Sequence, residues 1–198
     1  MTDVRFTPPK AVIKLILPKG LANKPKQTFI DMRFELLADC PEAIPKIASW
    51  YFDQWGHLRP DTGLKDIESK LQGSLNHDEL PLLILAFDNE EIMGVAELKF
   101  HEMDIYPEKE HWLGGVYVPV EHRGKGIGSQ LIRQALRIAR ILSVPTLYLQ
   151  TEKLEGGLYT SLGWVPVAQA DNRGLDVLVM EKTLDEKRAD QTSTISER

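Results

Sequence analysis

Residues 116–129 read Val116-Tyr117-Val118-Pro119-Val120-Glu121-His122-Arg123-Gly124-Lys125-Gly126-Ile127-Gly128-Ser129. The run Trp112–Val120 predicts a strand, and the amphipathic segment Ser129–Leu142 predicts a helix that begins directly after the glycines. Glycines permit a tight turn and let a ligand approach the backbone. Unpaired N–H groups and the positive end of the helix dipole attract an anion there, and Arg123 and Lys125 add positive charge. The stretch therefore predicts a phosphate-binding turn.

The spacing of this turn argues against two common phosphate-binding patterns. A dinucleotide fingerprint G-x-G-x-x-G that began at Gly124 would need a glycine where Ser129 stands, and it would open a βαβ unit instead of following a hairpin. A P-loop needs Ser or Thr after Gly-Lys, whereas Lys125 is followed by Gly126. The pattern that fits is R-x-x-G-x-G, at Arg123, Gly126 and Gly128.

The segments around the turn alternate between strand and helix periodicity. The expected strands are Met32–Leu37, the hairpin Leu80–Phe87 with Ile92–Phe100, Leu147–Leu149, and the closing pair Trp164–Ala168 and Val177–Lys182. The expected further helices open at Pro41 and end at Gly56, run from Leu64 to Leu75, and lie near Leu154–Leu162. This order predicts a mixed α/β fold, in which a hairpin precedes the glycine-rich turn.

The two ends of the chain differ from the segment between them. Residues 1–30 hold four prolines around one apolar run and are interpreted as an N-terminal extension of unassigned role. Residues 185–198 are charged and rich in Ser and Thr, so we expect a disordered tail. The domain is placed at residues 31–184.

Composition excludes several classes of protein. The 198 residues carry 24 Lys and Arg against 29 Asp and Glu, a net charge of −5, so we expect no nucleic-acid partner. No run approaches the roughly 18 to 20 apolar residues of a membrane span, and the N-terminus does not resemble a secretory signal, so we expect a cytoplasmic protein without membrane contact. Cys40 is the only cysteine and the five histidines lack metal-ligand spacing, so no metal is expected.

A second motif completes a resemblance to a known family. The stretch Leu158-Tyr159-Thr160-Ser161-Leu162-Gly163-Trp164 follows the glycine-rich turn by about thirty residues and looks like a Y-x-x-x-G-[FW] segment. Together with R-x-x-G-x-G and the element order from Phe34 to Lys182, it resembles the GNAT superfamily of N-acetyltransferases. The resemblance implies the acyl-CoA N-acyltransferase fold, a central mixed sheet flanked by helices. It also implies acetyl-CoA as co-substrate and direct transfer of its acetyl group to a primary amine in a ternary complex.

The resemblance also implies roles for individual residues. The backbone amides of the turn would hold the coenzyme A pyrophosphate; they belong to Arg123, Gly124, Lys125, Gly126, Ile127, Gly128 and Ser129. The main chain at Val116 and Val118 would pair with the pantetheine arm. Tyr159 would act as general acid or hydrogen-bond donor to the departing thiolate. A phenol of pKa about 10 protonates a thiolate of about 8.5 only at a cost of roughly 2 kcal/mol, so both roles stay open.

The general base is less clear from the sequence. Relatives that acetylate lysine place a glutamate early in the central strand, but the equivalent position here is Trp112. Glu110 and His111 flank that position, and Glu97 lies on the neighbouring predicted strand. Glu110 is our candidate base, since an alkylammonium of pKa near 10.4 must lose a proton before it can attack, at about 4 to 5 kcal/mol at neutral pH.

The resemblance implies an amine acceptor, which belongs to a small molecule or to a peptide. The loop His101–His111 carries four carboxylates against Lys109, and an acidic rim would favour a small cationic amine. The aromatic residues Trp50, Tyr51, Phe52 and Trp55 recur at helical spacing, which favours the core over an acceptor pocket. Two other hypotheses stay open, a non-catalytic acyl-CoA-binding sensor and a nucleotide-dependent oxidoreductase. A homodimer also stays open.

Overall fold

A computed structural model describes residues 32–184. The strands are β1 Arg33–Leu36, β2 Leu82–Asp88, β3 Glu91–Phe100, β4 His111–Tyr117, β5 Thr146–Thr151, β6 Val165–Asn172 and β7 Leu175–Thr183. The helices are α1 Ile44–Trp55, α2 Leu64–Gln72, α3 Ile127–Ile141 and α4 Gly157–Ser161, with short 3-10 turns at Leu37–Asp39, Pro41–Ala43, Gly56–Leu58 and Val120–His122. The predicted N-terminal extension and C-terminal tail lie outside the described residues.

The seven strands form one sheet in the order β1-β2-β3-β4-β5-β7-β6. All neighbouring strands are antiparallel except β4 and β5, which are parallel and share the single register pair Trp112 and Tyr148. The expected mixed sheet flanked by helices is confirmed. Because β4 and β5 pair only at this point, the sheet is open between their later residues.

Helices cover both faces of the sheet. Alternate residues of β2 point to opposite sides, since Leu82 and Ile84 pack in the cluster that contains α3, whereas Leu83 and Leu85 pack in the cluster that contains α1. This double burial explains why β2 is apolar without alternation. The opening between β4 and β5 therefore connects two layers of helices.

The element boundaries differ from the sequence predictions by a few residues. Helix α2 ends at Gln72, before the expected Leu75, because Gly73 caps it with its N–H on the carbonyls of Lys70 and Leu71. Helix α3 begins at Ile127, two residues before the expected Ser129. No helix within residues 32–184 has both the length and the apolar character that a membrane crossing requires.

Candidate active site

A cavity of about 870 Å³ occupies the opening between β4 and β5. One half of it is lined by the later residues of β4, the turn before α3, and α4. The other half is lined by α1, α2 and the segment between them, by β3, and by the turn between β6 and β7. We call these the donor half and the acceptor half. The cavity joins the two faces of the sheet at the point where its strands separate.

The donor half contains the glycine-rich turn. Gly124 and Gly126 both have φ of +78°, a conformation that favours glycine, and no atom lies within 4 Å of where a Cβ would stand at either position. Arg123 Nε donates to the carbonyl of Val118 over 2.9 Å, which ties the turn back to the strand. The turn is thus held in shape with open space beside its backbone.

The structure brings most of the predicted cofactor-binding residues together along this half. The cavity is lined by Val116, Val118, Arg123, Gly124, Gly126, Ile127, Gly128 and Ser129. Lys125 is exposed and does not line the cavity. Of these residues, Ile127 is fully buried and anchors the start of α3 in the core.

His122 lines the donor half, and the sequence analysis assigned it no role. Its Nε2 lies 3.2 Å from Oε1 of Glu91, and its buried Nδ1 has no hydrogen-bond partner among residues 32–184. The contact between the His122 ring and Glu91 links the turn to the start of β3. Only the three-dimensional pairing of this histidine with Glu91 reveals that function.

Tyr159 lies on α4 and lines the donor half, as the tyrosine motif implied. Its ring packs edge-on against Trp164, with centroids 6.2 Å apart. Burial raises the pKa of the Tyr159 phenol to about 12. The hydroxyl is therefore a hydrogen-bond donor over the whole neutral range and a poor source of a free proton.

The three possible proton acceptors occupy different places. Glu110 is 59% exposed, its carboxylate is 3.8 Å from Nδ1 of His111, and neither residue lines the cavity. Glu110 thus lies outside the cavity, and its role as a base stays a prediction. Glu97 is 2% exposed and lines the acceptor half. The only one of these carboxylates within the cavity comes from β3, not from the start of β4.

Glu97 belongs to a buried charge cluster. Lys99 Nζ lies 3.3 Å from Oε2 of Glu97 and also contacts the carboxylate of Glu102. Burial alone would lower the pKa of Lys99, but attraction to both carboxylates outweighs it and raises that pKa. Burial would likewise raise the pKa of Glu102, yet the Lys99 ammonium lowers it. All three side chains are therefore held in defined positions.

Hydrogen bonds extend this cluster across the sheet. Gln150 Nε2 donates to Glu102 Oε1 over 3.0 Å, and Asn172 Nδ2 donates to Gln150 Oε1 over 2.7 Å. The chain of contacts runs from β3 through β5 to the end of β6. It places one continuous polar network along the acceptor half.

Two glycines of β4 make room for these side chains. A Cβ at Gly114 would stand 2.7 Å from Nζ of Lys99, and one at Gly115 would stand 2.9 Å from Cζ of Tyr51. Gly115 also has φ of +54°, and its carbonyl accepts a hydrogen bond of 2.8 Å from the Tyr51 hydroxyl. A Gly-Gly pair inside a predicted strand is a sequence signal that another group approaches the strand backbone closely, and the sequence analysis did not use it.

The aromatic residues of α1 divide between core and cavity. Trp50 packs against the core cluster that contains α1, and its ring lies 5.3 Å from the Tyr117 ring, as the core interpretation expects. Tyr51 and Trp55 line the cavity, with their rings 5.2 Å apart. Phe52 is exposed, so its assignment to the core is wrong.

The expected acidic rim does not form around the cavity. Of the four carboxylates of the loop, only Glu102 lines it, and Glu102 is paired with Lys99. Glu108 forms an ion pair of 2.8 Å with Lys109, and Asp104 and Glu110 are exposed outside the cavity. Most of the charged side chains of the loop therefore lie outside the cavity.

Comparison with known proteins relates this fold to a family. A sequence model of the Acetyltransferase (GNAT) family matches residues 44–164. None of the curated proteins is similar enough in sequence to match.

Solved structures share the same architecture. The protein yncA from Salmonella typhimurium, solved with its cofactor acetyl-CoA, is 20% identical over 78% of this chain and 95% of its own, with a TM-score of 0.60. Aminoglycoside 6'-acetyltransferase type Ii is 18% identical over 77% and 97%, with a TM-score of 0.60. An acetyltransferase of the GNAT family from Streptococcus pneumoniae is 18% identical over 78% and 100%, with a TM-score of 0.57.

Proposed function

This chain belongs to the GNAT family of acetyltransferases, and on that premise we propose that it transfers the acetyl group of acetyl-CoA to a primary amine within a ternary complex. The observation that carries the proposal is the single cavity, which connects an anion-binding turn with a buried carboxylate through the opening between β4 and β5. When bound, acetyl-CoA supplies the thioester that reacts. The residues of the chain bind, orient and exchange protons around it.

The glycine-rich turn is our proposed pyrophosphate site. The Arg123 amide donates to the carbonyl of Val120 over 3.2 Å. The following amides, from Gly124 to Ser129, lie at the start of α3, where unpaired N–H groups and the helix dipole favour an anion. The open space at Gly124 and Gly126 lets phosphate oxygens approach the backbone. Arg123 adds a charge-assisted contact from its guanidinium, and exposed Lys125 contributes positive charge from the outer side of the turn.

The later part of β4 is our proposed pantetheine site. Beyond Trp112, β4 has no register pair with β5, so its backbone groups on that side are available to an extended ligand. Val116 and Val118 line the cavity there and also pack against the α3 cluster, which fixes the strand. An amide of this segment would polarise the thioester carbonyl.

Tyr159 is proposed to assist the leaving group by a hydrogen bond. With its pKa raised to about 12, complete proton transfer to a thiolate of about 8.5 would cost roughly 5 kcal/mol. A hydrogen bond to the developing anion requires no such transfer. The role of general acid in the strict sense is the less favourable of the two.

Glu97 is proposed as the proton acceptor in place of Glu110. Its buried carboxylate is held at the floor of the acceptor half by Lys99, while Glu110 lies outside the cavity. The acceptor ammonium gives one proton to Glu97, which passes it to solvent, and the neutral nitrogen attacks the thioester carbonyl carbon. The C–N bond forms as the C–S bond breaks, and the second nitrogen proton ends on the coenzyme A thiol.

Calorimetric titration with acetyl-CoA, coenzyme A and NADH, followed by an amine screen that detects free thiol, tests the proposal. Micromolar binding of acetyl-CoA that Arg123→Glu abolishes, together with thiol release that requires an amine, supports it. Binding without release for any amine would favour a sensor. Preference for NADH would favour an oxidoreductase.

A further inference from the structure

We propose that the acceptor amine also carries a carboxylate, with its ammonium end near Glu97 and its carboxylate end held by Arg59, Lys70 and Arg173. The inference rests on the proposed transferase function and specifies its acceptor. It is carried by the distribution of charge within the acceptor half. We call the group Glu97, Lys99 and Glu102 the floor, which has a net negative charge. We call the group Arg59, Lys70 and Arg173 the rim, which is positively charged.

The floor carries one unbalanced negative charge. Among residues 32–184, the ammonium of Lys99 is the only ion-pair partner of Glu97 and Glu102, and all three groups are largely shielded from water. Lys70 adds a weaker attraction to Glu102 from beyond ion-pair distance. A buried charge without a counter-ion is unfavourable, so the floor favours a cation in the space above it. The ammonium of an amine acceptor supplies that cation next to the group that receives its proton.

The rim carries positive charge from three separate elements. Arg59 follows the 3-10 turn after α1, Lys70 lies on α2, and Arg173 lies in the turn between β6 and β7. All three line the cavity, and none forms an ion pair with any residue of the described range 32–184. Lys70 also attracts the carboxylate of Glu102 from beyond ion-pair distance, whereas Arg59 and Arg173 are available to a ligand.

The Arg173 turn is fixed to the same network as the floor. Asn172, the residue before Arg173, donates to Gln150, and Gln150 donates to Glu102. The Gly174 amide donates to Asp171 Oδ1 over 3.2 Å, which closes the turn. The backbone on both sides of Arg173 is therefore held by hydrogen bonds, and one of them leads to the network that contains Glu102.

Carboxylates of the rim do not cancel this charge. Asp66 lines the cavity, but its Oδ2 accepts the Gly63 amide over 2.8 Å at the start of α2. Glu152 is followed directly by Lys153, and both line the cavity at the end of β5. With Lys153 counted, four cations of this region face the two carboxylates Asp66 and Glu152, so a net positive charge is left that a substrate carboxylate can match.

The first test compares amines that differ in one group. Natural α-amino acids are each assayed beside their carboxamide and their decarboxylated amine, with acetyl-CoA and thiol detection. We expect kcat/KM for the best amino acid to exceed that of both partners by about tenfold or more. Peptides that begin with Asp or Glu and end in a carboxamide present a side-chain carboxylate one or two methylenes further from the amine, and their rank against free amino acids distinguishes a peptide source from a free amino acid.

The second test removes the rim cations. Arg59→Gln, Lys70→Gln and Arg173→Gln should each raise KM for the best amino acid by about threefold to tenfold with little change in kcat, and should leave KM of its decarboxylated amine unchanged. Arg133→Gln is the matched control, because Arg133 is exposed on α3 outside the cavity.

Two results would overturn the inference in distinguishable ways. Equal or faster acetylation of the carboxamide and decarboxylated amine would remove the carboxylate from the acceptor and leave the transferase function standing. Failure of every amine to release thiol from a chain that binds acetyl-CoA would remove the transferase function and this inference with it.

Discussion

The two halves of the cavity are built in different ways. The donor half is one continuous stretch, in which backbone amides, glycine conformations and the start of α3 form the binding surface. The acceptor half is made of side chains from five elements, joined by the contacts of Lys99 and the hydrogen bonds of Gln150. Binding by the backbone depends on local shape, whereas binding by side chains depends on the tertiary fold.

The two halves of the cavity also differ in how much they contribute to the stability of the fold. The donor turn is exposed at its glycines and contributes little to the core, but the charge cluster of the acceptor half is buried beside β4. A change in the acceptor half should therefore affect folding as well as function. A change in an exposed side chain of the donor turn should affect ligand binding with little effect on folding.

The largest expected effect follows from Lys99→Met. Removal of the ammonium leaves two buried carboxylates without a counter-ion, and we expect the free energy of unfolding to fall by about 3 to 5 kcal/mol in urea titrations at neutral pH. Lys65→Met, on the exposed side of α2, is the control and should change it by less than about 0.5 kcal/mol. An unchanged midpoint for Lys99→Met would show that the acceptor half is not part of the folded core.

The next largest effect is expected on the binding of acetyl-CoA at the glycine-rich turn of the donor half. Arg123→Glu reverses a charge at the turn, and we expect the Kd of acetyl-CoA to rise by about a hundredfold with the unfolding midpoint nearly constant. Arg133→Glu is the matched charge reversal on α3 outside the cavity. Equal weakening by both variants would point to a general field effect instead of a site at the turn.

A smaller effect is expected for Tyr159→Phe. Loss of one hydrogen bond to the leaving thiolate should lower kcat by about tenfold, and the Kd of acetyl-CoA should stay within about twofold. A loss of about a thousandfold or more would instead support complete proton transfer. Single-turnover rates of thiol release distinguish these outcomes.

The smallest effect concerns the pH dependence of stability. Because the pKa of Glu102 is lower in the folded chain than in the unfolded chain, its contribution is present above the unfolded value and is lost as pH falls through the folded one. Stability should therefore fall below about pH 4.5, and Glu102→Gln should make that fall shallower. The exposed control Glu90→Gln should retain the wild-type profile.

The sequence predicted the donor half well because its signals are local. Three glycines, a strand before them and an amphipathic helix after them specify the turn through the conformations of neighbouring residues. The order of elements also followed from periodicity, and the mixed sheet followed from the resemblance to the family. Boundaries such as the end of α2 moved by a few residues, because Gly73 stops the helix before the last apolar position.

The acceptor half could not be predicted from local signals. Glu97 lies in an apolar predicted strand and Glu110 in a polar loop, but neither neighbourhood shows that Lys99 pairs with Glu97 and occupies the space beside Gly114. The acidic loop likewise gave a wrong expectation, since Glu102 turns inward to Lys99 while Glu110 stays exposed. The positions of Glu97 and of the loop carboxylates both depend on tertiary contacts, which the local sequence does not specify.

The separation of donor binding from proton transfer is tested most directly by Glu97→Gln. In one preparation, the Kd of acetyl-CoA is measured by calorimetry and the rate of acetyl transfer by single turnover, with Glu110→Gln as the matched control. We expect Glu97→Gln to bind acetyl-CoA with a Kd within about twofold of the wild type and to transfer acetyl at least about a hundredfold more slowly. Wild-type transfer by Glu97→Gln, or the same loss in Glu110→Gln, would contradict the account.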